Sequence, residues 1–371
     1  GLGSVYLGLM TLLKLLLGVL LILSSPLLQA VCSPDQEPIT VVLLLPLAEG
    51  STPFGQSLLD GFIAADDEGV DSACEVNLRY LNTEEESTTF IQQWYRALEL
   101  EPELLIGPLL EQHQQQLVDL SVIELPENTT WLYPGEPTHL PVSQSEQLLT
   151  FSISWREQLR NLLEYGWDQG QHDIVLLLPD SDLGRKIADA TVLVWETKGG
   201  VVTAVAHYGK RFSTLNQAMR QLIRESRGSF DVLLTLANDQ QLRMLRPLMS
   251  YHSREEPIYS LMPPVGERGL KKDLQEIYFP MHPALLERSD PGFEVDDFLL
   301  QVENVGFDLM MLTRTGEWQQ LQKKGSYLGR SGRYTIEDRQ LIRTFCIAVS
   351  DKKRPVLHWC PQSEEIQEFG L

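Results

Sequence analysis

Apolar and polar positions alternate between two periods along this chain. Residues 40–45 form a continuous apolar run that ends at Pro46, which is typical of a strand buried on both faces of a parallel sheet. From Gly55 onward, apolar residues recur at helical spacing. A strand, a polar glycine-containing loop and an amphipathic helix make half of a βαβ unit. Open α/β sheets bind ligands beyond the carboxyl ends of their strands, so the loop at 48–55 is a candidate site.

The same pattern starts again at residue 173. An apolar strand is predicted over 174–178, and the Asp180-Ser181-Asp182 stretch after Pro179 offers helix N-caps before a second amphipathic helix. Two such starts, far apart in the chain, predict an α/β protein of two Rossmann-like lobes with a cleft between them. A cleft between lobes is the usual place for a ligand.

The remaining pattern fills both lobes with alternating elements. Further strands are predicted at 76–81, 104–106, 130–133, 201–206, 231–237 and 258–260. Helices are predicted at 89–98, 111–120, 155–165, 184–197, 215–225, 239–251 and 298–312, with a looser helical stretch at 266–278. The end of the chain differs, because short antiparallel strands are predicted at 327–334, 342–349 and 356–359, forming a β-rich segment packed on the second lobe.

These elements give a domain organisation. We expect a signal peptide over 1–30, a short linker over 31–38, a first lobe over 39–140 with a return segment at about 295–325, and a second lobe over 141–294 with the β-rich segment at about 326–371. A membrane anchor is the rival interpretation of the start. The apolar run at 15–23 is shorter than the ~20 residues that a spanning helix needs.

The predicted signal peptide indicates an oxidising compartment, in which the four cysteines can form disulfides. Cys32 occupies the lipidation position of a bacterial lipoprotein, although Val31 precedes it; the alternative is cleavage after Ala30 with an unmodified thiol. A hairpin turn centred on Lys353 would place Cys346 opposite Cys360, which predicts a disulfide; the alternative is two buried thiols. Cys74 would then be unpaired or joined to Cys32. We expect a periplasmic protein, attached to the outer membrane if Cys32 is lipidated.

The net charge and the short motifs exclude several classes of function. The formal net charge of −21 opposes binding of nucleic acid or anionic lipid and favours a basic protein surface. No two of the seven histidines are spaced as zinc ligands, and each is interpreted as a surface or packing residue. The acidic runs 66–68 and 84–86 are interpreted as solvated. Ser350 to Lys353 matches S-x-x-K without its companion motifs. We therefore expect no enzyme, metal or cofactor.

A resemblance covers nearly the whole chain from residue 39 to 359. The chain resembles the type I periplasmic binding protein fold and, more narrowly, the carboxyl-terminal domain of the LppC/LpoA family, lipoprotein activators of class A penicillin-binding proteins. The stretches that carry it are VLLLPLAEGSTPFGQSLLDGF, LLIGPLL, FSISWREQLRNLL, IVLLLPDSDLGRKIADA, FDVLLTLANDQQLRMLRPLM, VGFDLMML and YLGRSGRYTIEDRQLIRTF. This resemblance implies a non-enzymatic envelope protein that docks on a peptidoglycan synthase and stimulates crosslinking.

A second hypothesis is a periplasmic solute-binding protein for amino acids or related small molecules. In that branch of the fold, hydroxyl groups and backbone amides after the first and third strands bind a carboxylate. Ser51 and Thr52 suit this role, whereas the acidic Glu111 does not suit an anion. The candidate cleft residues are Ser51, Thr52, Phe54, Gly55, Gly107, Pro108, Leu109, Asp182, Gly184 and Arg185.

Overall fold

A computed structural model describes residues 36–68, 74–135, 139–152, 155–262, 274, 276–281, 296–350 and 355–360. The chain divides into two compact units. Unit 1 runs to Phe151 and also includes Leu309–Tyr327 and Ile336–Leu341, whereas unit 2 consists of Ser152–Asp308, Leu328–Thr335 and Ile342–Leu371. Each unit is an α/β layer structure, as the alternating sequence pattern predicts.

Unit 1 is organised around the first apolar run. This run forms a strand whose residues from Val41 to Leu45 are fully buried, as expected for a strand covered on both faces. The described elements are β1 (Ile39–Leu45), α1 (Phe54–Asp66), β2 (Val76–Asn82), α2 (Phe90–Glu99), β3 (Leu104–Ile106), α3 (Glu111–Val118), β4 (Thr130–Pro134), a short 3₁₀ helix (Ser145–Gln147) and β5 (Leu148–Phe151).

All neighbouring pairs among these five strands are parallel. Strand β1 lies between β2 and β3, and β3, β4 and β5 follow in order. Helix α2 begins at a capping box formed by Thr89 and Gln92, and its apolar face packs on one side of β1 through Phe90 and Trp94. Because these neighbouring strands are parallel, the carboxyl ends of β1, β2 and β3 lie at one edge of the sheet.

Unit 2 repeats the arrangement with a second sheet. Its core includes two apolar clusters that contain alternate residues of the strand over 173–179, Val175 and Leu177 in one and Leu176 and Leu178 in the other. The described elements are α4 (Trp155–Asp168), β6 (Asp173–Pro179), α5 (Asp182–Thr197), β7 (Val201–Tyr208), α6 (Phe212–Glu225), β8 (Val232–Thr235), α7 (Asp239–Tyr251), β9 (Ile258–Ser260) and β10 (Ile277–Met281).

The final part of the chain passes between the units several times. It contains α8 (Asp296–Arg314), α9 (Trp318–Gln322), β11 (Tyr327–Gly329), β12 (Gly332–Glu337), β13 (Gln340–Thr344), β14 (Cys346–Ser350) and β15 (Pro355–Trp359). The end of α8 belongs to unit 1, where the Arg314 guanidinium donates to the Ala65 carbonyl and, at 2.8 Å, to the Glu68 carbonyl.

Two predicted boundaries differ from the structure. The first lobe was expected to end at residue 140, but β5 pairs in parallel with β4, so unit 1 extends through Phe151. The β-rich segment was expected to pack wholly on the second lobe. Strand β13 instead joins β5 through Gln340 and Leu341, which extends the first sheet to the order β11-β12-β13-β5-β4-β3-β1-β2.

Strands β14 and β15 do join the second sheet, whose order is β15-β14-β10-β9-β8-β6-β7. They form an antiparallel hairpin containing a disulfide between Cys346 and Cys360, with the two Cα atoms 4.2 Å apart. The register beside the disulfide pairs Ile347 with Trp359, as a turn centred on Lys353 requires. An irregularity then shifts the register toward the turn.

Candidate functional site

The two predicted loops of unit 1 lie at the same edge of the sheet. The loop containing Ser51 and Thr52 follows β1, and the Gly107-Pro108 loop follows β3, which is the parallel neighbour of β1. This is the edge at which α/β sheets bind ligands. Within unit 1, the fold therefore brings the two sequence-predicted segments to one side.

The glycines in these loops have a structural reason. A Cβ atom at Gly55 would lie 2.3 Å from the Pro46 carbonyl oxygen, and one at Gly107 would lie 2.4 Å from the Leu44 carbonyl oxygen. Gly107 also has a φ of +109°, which disfavours other residues. Both glycines thus allow a close approach between a loop and the end of β1.

The carbonyls of the second loop are already used within unit 1. The Trp131 indole donates to the Gly107 carbonyl at 2.7 Å, and the Gln114 amide donates to the Pro108 carbonyl at 2.9 Å. Leu109 is partly exposed beside them. The Gly107 amide donates to the Leu132 carbonyl at 3.3 Å and Pro108 has no N–H, so these two residues offer no free backbone donor to a carboxylate.

The first loop is more open. Ser51 and Thr52 are partly buried, and Phe54 is 40% exposed. The backbone N–H of Ser51 donates to the Ala48 carbonyl at 3.1 Å, and α1 begins after Pro53 without a side-chain cap. The Thr52 hydroxyl accepts only a long hydrogen bond, 3.5 Å from the Phe54 amide. These residues form a partly exposed polar surface with an aromatic ring beside it.

Sequence reasoning missed a buried polar cluster near this edge. His113, interpreted from the sequence as a surface or packing residue, is buried and stacks on Phe90 with ring centroids 4.5 Å apart. Burial lowers the pKa of His113, and the charge of Glu84 acts against that shift. Four side-chain atoms in this region have no hydrogen-bond partner among the described residues: Thr83 Oγ1, Glu84 Oε2, Gln93 Oε1 and His113 Nδ1.

This cluster changes the interpretation of the acidic run at 84–86. Glu84 is only partly exposed, and one of its carboxylate oxygens is buried. Glu84 lies close enough to His113 for its charge to affect the pKa of the imidazole. No sequence signal identifies this cluster, because Thr83, Gln93 and His113 come from three different elements.

The predicted residues of unit 2 lie after β6. A Cβ atom at Gly184 would lie 2.0 Å from the Pro179 carbonyl oxygen, and the Gly184 amide donates to the Ser181 cap at 3.1 Å. Arg185 forms ion pairs of 2.9 Å with Asp180 and with Asp182, all on the surface. The two carboxylates offset the charge of Arg185, so this side chain is a weak candidate for binding an anion.

Two further observations concern the cysteines and metal ions. Cys74 is disulfide-bonded, which excludes the unpaired alternative and leaves the paired one; its partner lies outside the described residues, as does the lipidation candidate Cys32. Among the described residues, no group of three or more His, Cys, Asp and Glu side chains could hold a metal ion. Within the same residues, no helix combines the length and the apolar character needed to cross a bilayer.

Comparison of sequences identifies relatives of this chain. The family model for LppC lipoproteins matches residues 26–294. The penicillin-binding protein activator LpoA of Photobacterium profundum is 26% identical over 233 residues, which cover 56% of this chain and 36% of that relative. LpoA of Edwardsiella piscicida is 32% identical over 97 residues, which cover 26% of this chain and 13% of that relative. The match thus spans only a minor part of each relative.

Solved structures with the same fold include the LpoA (YraM) C-domain from Haemophilus influenzae, a regulator of PBP1A. It superimposes with a TM-score of 0.68 at 15% identity, covering 86% of this chain and 99% of that domain. The structure of a branched-chain amino acid ABC transporter from Chromobacterium violaceum has a TM-score of 0.59 at 16% identity, covering 84% of this chain and 99% of that one. These likenesses confirm the type I periplasmic binding protein fold. Because the LppC model matches well over half of the sequence, the chain belongs to the LppC family.

Proposed function

We propose that this protein is a non-enzymatic envelope protein that binds and activates a class A penicillin-binding protein. The observation that carries the proposal is family membership over residues 26–294, with relatives named as penicillin-binding protein activators. The fold supports it further, since this chain covers 99% of the C-domain of Haemophilus influenzae LpoA, a regulator of PBP1A. The partner is therefore a peptidoglycan synthase.

The proposed location is the periplasm. Attachment to the outer membrane through a lipidated Cys32 is the alternative to a disulfide of that cysteine, because one sulfur atom cannot form both bonds. The sequence pattern over 1–30 supports export. These residues lie outside the part of the chain that the structure describes. Mass spectrometry of the protein isolated from envelopes tests the anchor, since an unmodified amino-terminal peptide containing Cys32 would contradict it.

Exposed aromatic side chains are the first candidates for contacts with the partner. Tyr80 lies on the edge strand β2 and is 53% exposed, and Tyr251 at the end of α7 is 78% exposed. Tyrosine is enriched among the residues that dominate protein interfaces. The net charge of −21 also predicts that association with a basic surface weakens as salt increases.

The second candidate is a solute-binding protein, favoured by the partly exposed hydroxyl groups of Ser51 and Thr52 at the ligand edge of unit 1. The Gly107 amide donates to the Leu132 carbonyl and Pro108 has no N–H, so neither residue contributes a backbone donor to such a site. The solute hypothesis thus depends mainly on one loop.

One experiment separates the two functions. The chain from Ser33 onward is immobilised and titrated with its host's class A penicillin-binding proteins, with a class B protein as the control. The same preparation is screened for thermal stabilisation by amino acids and muropeptides. We expect saturable binding of a class A synthase and faster crosslinking by that synthase, without stabilisation by a solute.

The opposite result would overturn the proposal. Absence of synthase binding, together with about 2.7 kcal/mol of stabilisation at a hundredfold excess of solute over its Kd, would make the protein a solute receptor. Variants Tyr80→Ser and Tyr251→Ser then locate the surface. The loss of affinity on one of them, with unchanged melting temperature, would assign the contact to unit 1 or unit 2.

A further inference from the structure

Arg343 on β13 is a buried cation without a visible counter-ion. Its side chain is 5% exposed, and its Nε and Nη1 atoms have no hydrogen-bond acceptor among the described residues. Removing a guanidinium from water costs several kcal/mol unless an anion and hydrogen-bond acceptors replace the lost hydration. Because arginine does not lose its proton in proteins, this cost cannot be avoided by neutralisation.

A buried carboxylate in the same region, that of Asp308, already accepts hydrogen bonds from other residues. Asp308 accepts hydrogen bonds from the Arg330 amide at 2.6 Å, the Ser331 amide at 2.7 Å, the Ser331 hydroxyl at 2.5 Å and the Tyr334 hydroxyl at 3.2 Å. A carboxylate has about four lone-pair positions. Asp308 therefore has little capacity left for the Arg343 guanidinium.

The phenol of Tyr334 cannot serve as the anion either. Tyr334 is buried, and desolvation, followed by the charge of Asp308, raises its pKa well above the ordinary value, while the charge of Arg343 acts against that shift. It remains neutral at physiological pH. The surroundings of Arg343 thus offer a neutral hydroxyl and a carboxylate whose oxygens are used by other donors.

The packing around Arg343 holds the guanidinium in place. The ring of Phe345 lies below it, with the guanidinium carbon 4.7 Å from the ring centroid. A Cβ atom at Gly332 would lie 3.0 Å from Arg343 Cγ and 2.7 Å from the Thr344 carbonyl oxygen. The absence of a side chain at Gly332 therefore gives the arginine stem its space.

We propose that Arg343 is the anchor of an anion-binding site in unit 2 that takes a carboxylate. A monoanion matches the single positive charge of the guanidinium, whereas a multiply charged oxyanion would add further negative charge to a chain of net charge −21. The planar guanidinium donates to carboxylate oxygens through paired N–H groups. This site is independent of the proposed synthase binding.

The test uses acetate as the probe. The chain from Val31 onward, labelled with ¹⁵N-arginine, is titrated with sodium acetate at constant ionic strength, and the Nε–H signal of Arg343 is followed by NMR. Parallel titrations use chloride and inorganic phosphate. We expect a saturable shift of the Arg343 signal with acetate and a weaker response to the other two anions.

Variants keep the test decisive. Arg343→Met should abolish acetate-dependent thermal stabilisation, and Arg343→Lys, which keeps the charge but lacks the planar group, should weaken acetate binding by about tenfold or more. Arg220→Met replaces an exposed arginine on α6 and should respond to acetate like the wild-type protein.

Three results would overturn the proposal. The first is the absence of a saturable Arg343 shift with acetate, and the second is equal acetate stabilisation of wild type and Arg343→Met. The third is tighter binding of phosphate than of acetate, which would replace the carboxylate by another class of anion. Arg343→Lys provides the comparison if Arg343→Met does not fold.

Discussion

The Asp308 carboxylate accepts a hydrogen bond from the Ser331 backbone amide at 2.7 Å, joining helix α8 to a turn 23 residues further along the chain. The Ser331 hydroxyl and the Arg330 amide donate to the same carboxylate. A Cβ atom at Gly329 would lie 2.4 Å from the Asp308 carboxyl carbon, so the turn approaches the acid closely. One buried side chain thus determines the conformation of the turn between β11 and β12.

Replacing this acid by its amide should destabilise the protein. In Asp308→Asn the new NH₂ group would face backbone N–H donors, which leaves at least one buried donor unpaired. We expect a loss of about 2–3 kcal/mol in the free energy of unfolding, measured by urea denaturation. Asp189→Asn, an exposed position on α5, is the control and should change it by less than about 0.5 kcal/mol. An equal effect of both substitutions would contradict this role for Asp308.

Gly184→Ala should also destabilise, because its Cβ would lie 2.0 Å from the Pro179 carbonyl oxygen. The start of α5 must then move away from the end of β6. We expect a loss of about 1–3 kcal/mol, as for overpacked sites.

Gly209→Ala is the matched control in the same unit, since its nearest neighbour would be the Thr214 hydroxyl oxygen at 3.5 Å, an ordinary contact. Differential scanning calorimetry of both variants provides the comparison. A melting temperature for Gly184→Ala as high as that of Gly209→Ala would mean that this contact is not sterically limiting.

His113 should make stability depend on pH. Burial lowers its pKa below the ordinary 6.5, so the unfolded chain binds a proton at a higher pH than the folded protein does. The contribution of His113 is fully present above pH 6.5 and is lost as the pH falls from there toward the folded pKa. The slope is at most about 1.4 kcal/mol per pH unit.

The variant His113→Phe retains a ring that can stack on Phe90 but does not titrate. Its free energy of unfolding, measured between pH 5 and 8, should lack this component of the slope. His139→Gln, at an exposed position, should keep the wild-type dependence. Identical slopes for wild type and His113→Phe would assign the pH dependence to other groups.

The disulfide of the terminal hairpin should contribute about 3 kcal/mol to stability, as expected for a loop closed over a sequence separation of 14. The double variant Cys346→Ser/Cys360→Ser should lose that amount in guanidinium denaturation. Adding a reductant to the double variant then measures the separate contribution of the Cys74 disulfide. If the double variant were as stable as the oxidised wild type, the disulfide would not stabilise the protein by restricting the unfolded chain.

The sequence predicted best where a local pattern alone determines the structure. The apolar runs before Pro46 and Pro179 form the buried strands β1 and β6, and polar residues after Pro179 cap α5 as expected. The sequence was less informative where the pairing between strands determines the structure. Residues 148–151 form a run too short to be recognised as a strand, yet they pair with β4. Strand β10 begins inside the stretch at 266–278 that was predicted to be helical and continues past it. It is a strand because it pairs with β9 and β14.

The candidate site was predictable only in part. The positions of Gly55, Gly107 and Gly184 follow from the rule that ligand loops lie after parallel strands, and the structure gives each glycine a steric reason. The burial of His113 and of Arg343 could not be inferred, because each depends on residues distant in sequence. The residues adjacent in sequence do not show whether folding will remove a charged or titratable side chain from water.

The close contact between a glycine and a proline carbonyl, at Gly55 with Pro46 and at Gly184 with Pro179, sets limits for redesign of these loops. In each unit this contact holds the first turn of a helix against the end of a strand, independently of the conformation of the residues that connect them. The connection from Pro46 to Gly55 is longer than the one from Pro179 to Gly184. Loop grafts should therefore be accepted between these fixed points, and a library that varies the intervening residues while keeping both glycines would retain the two sheets.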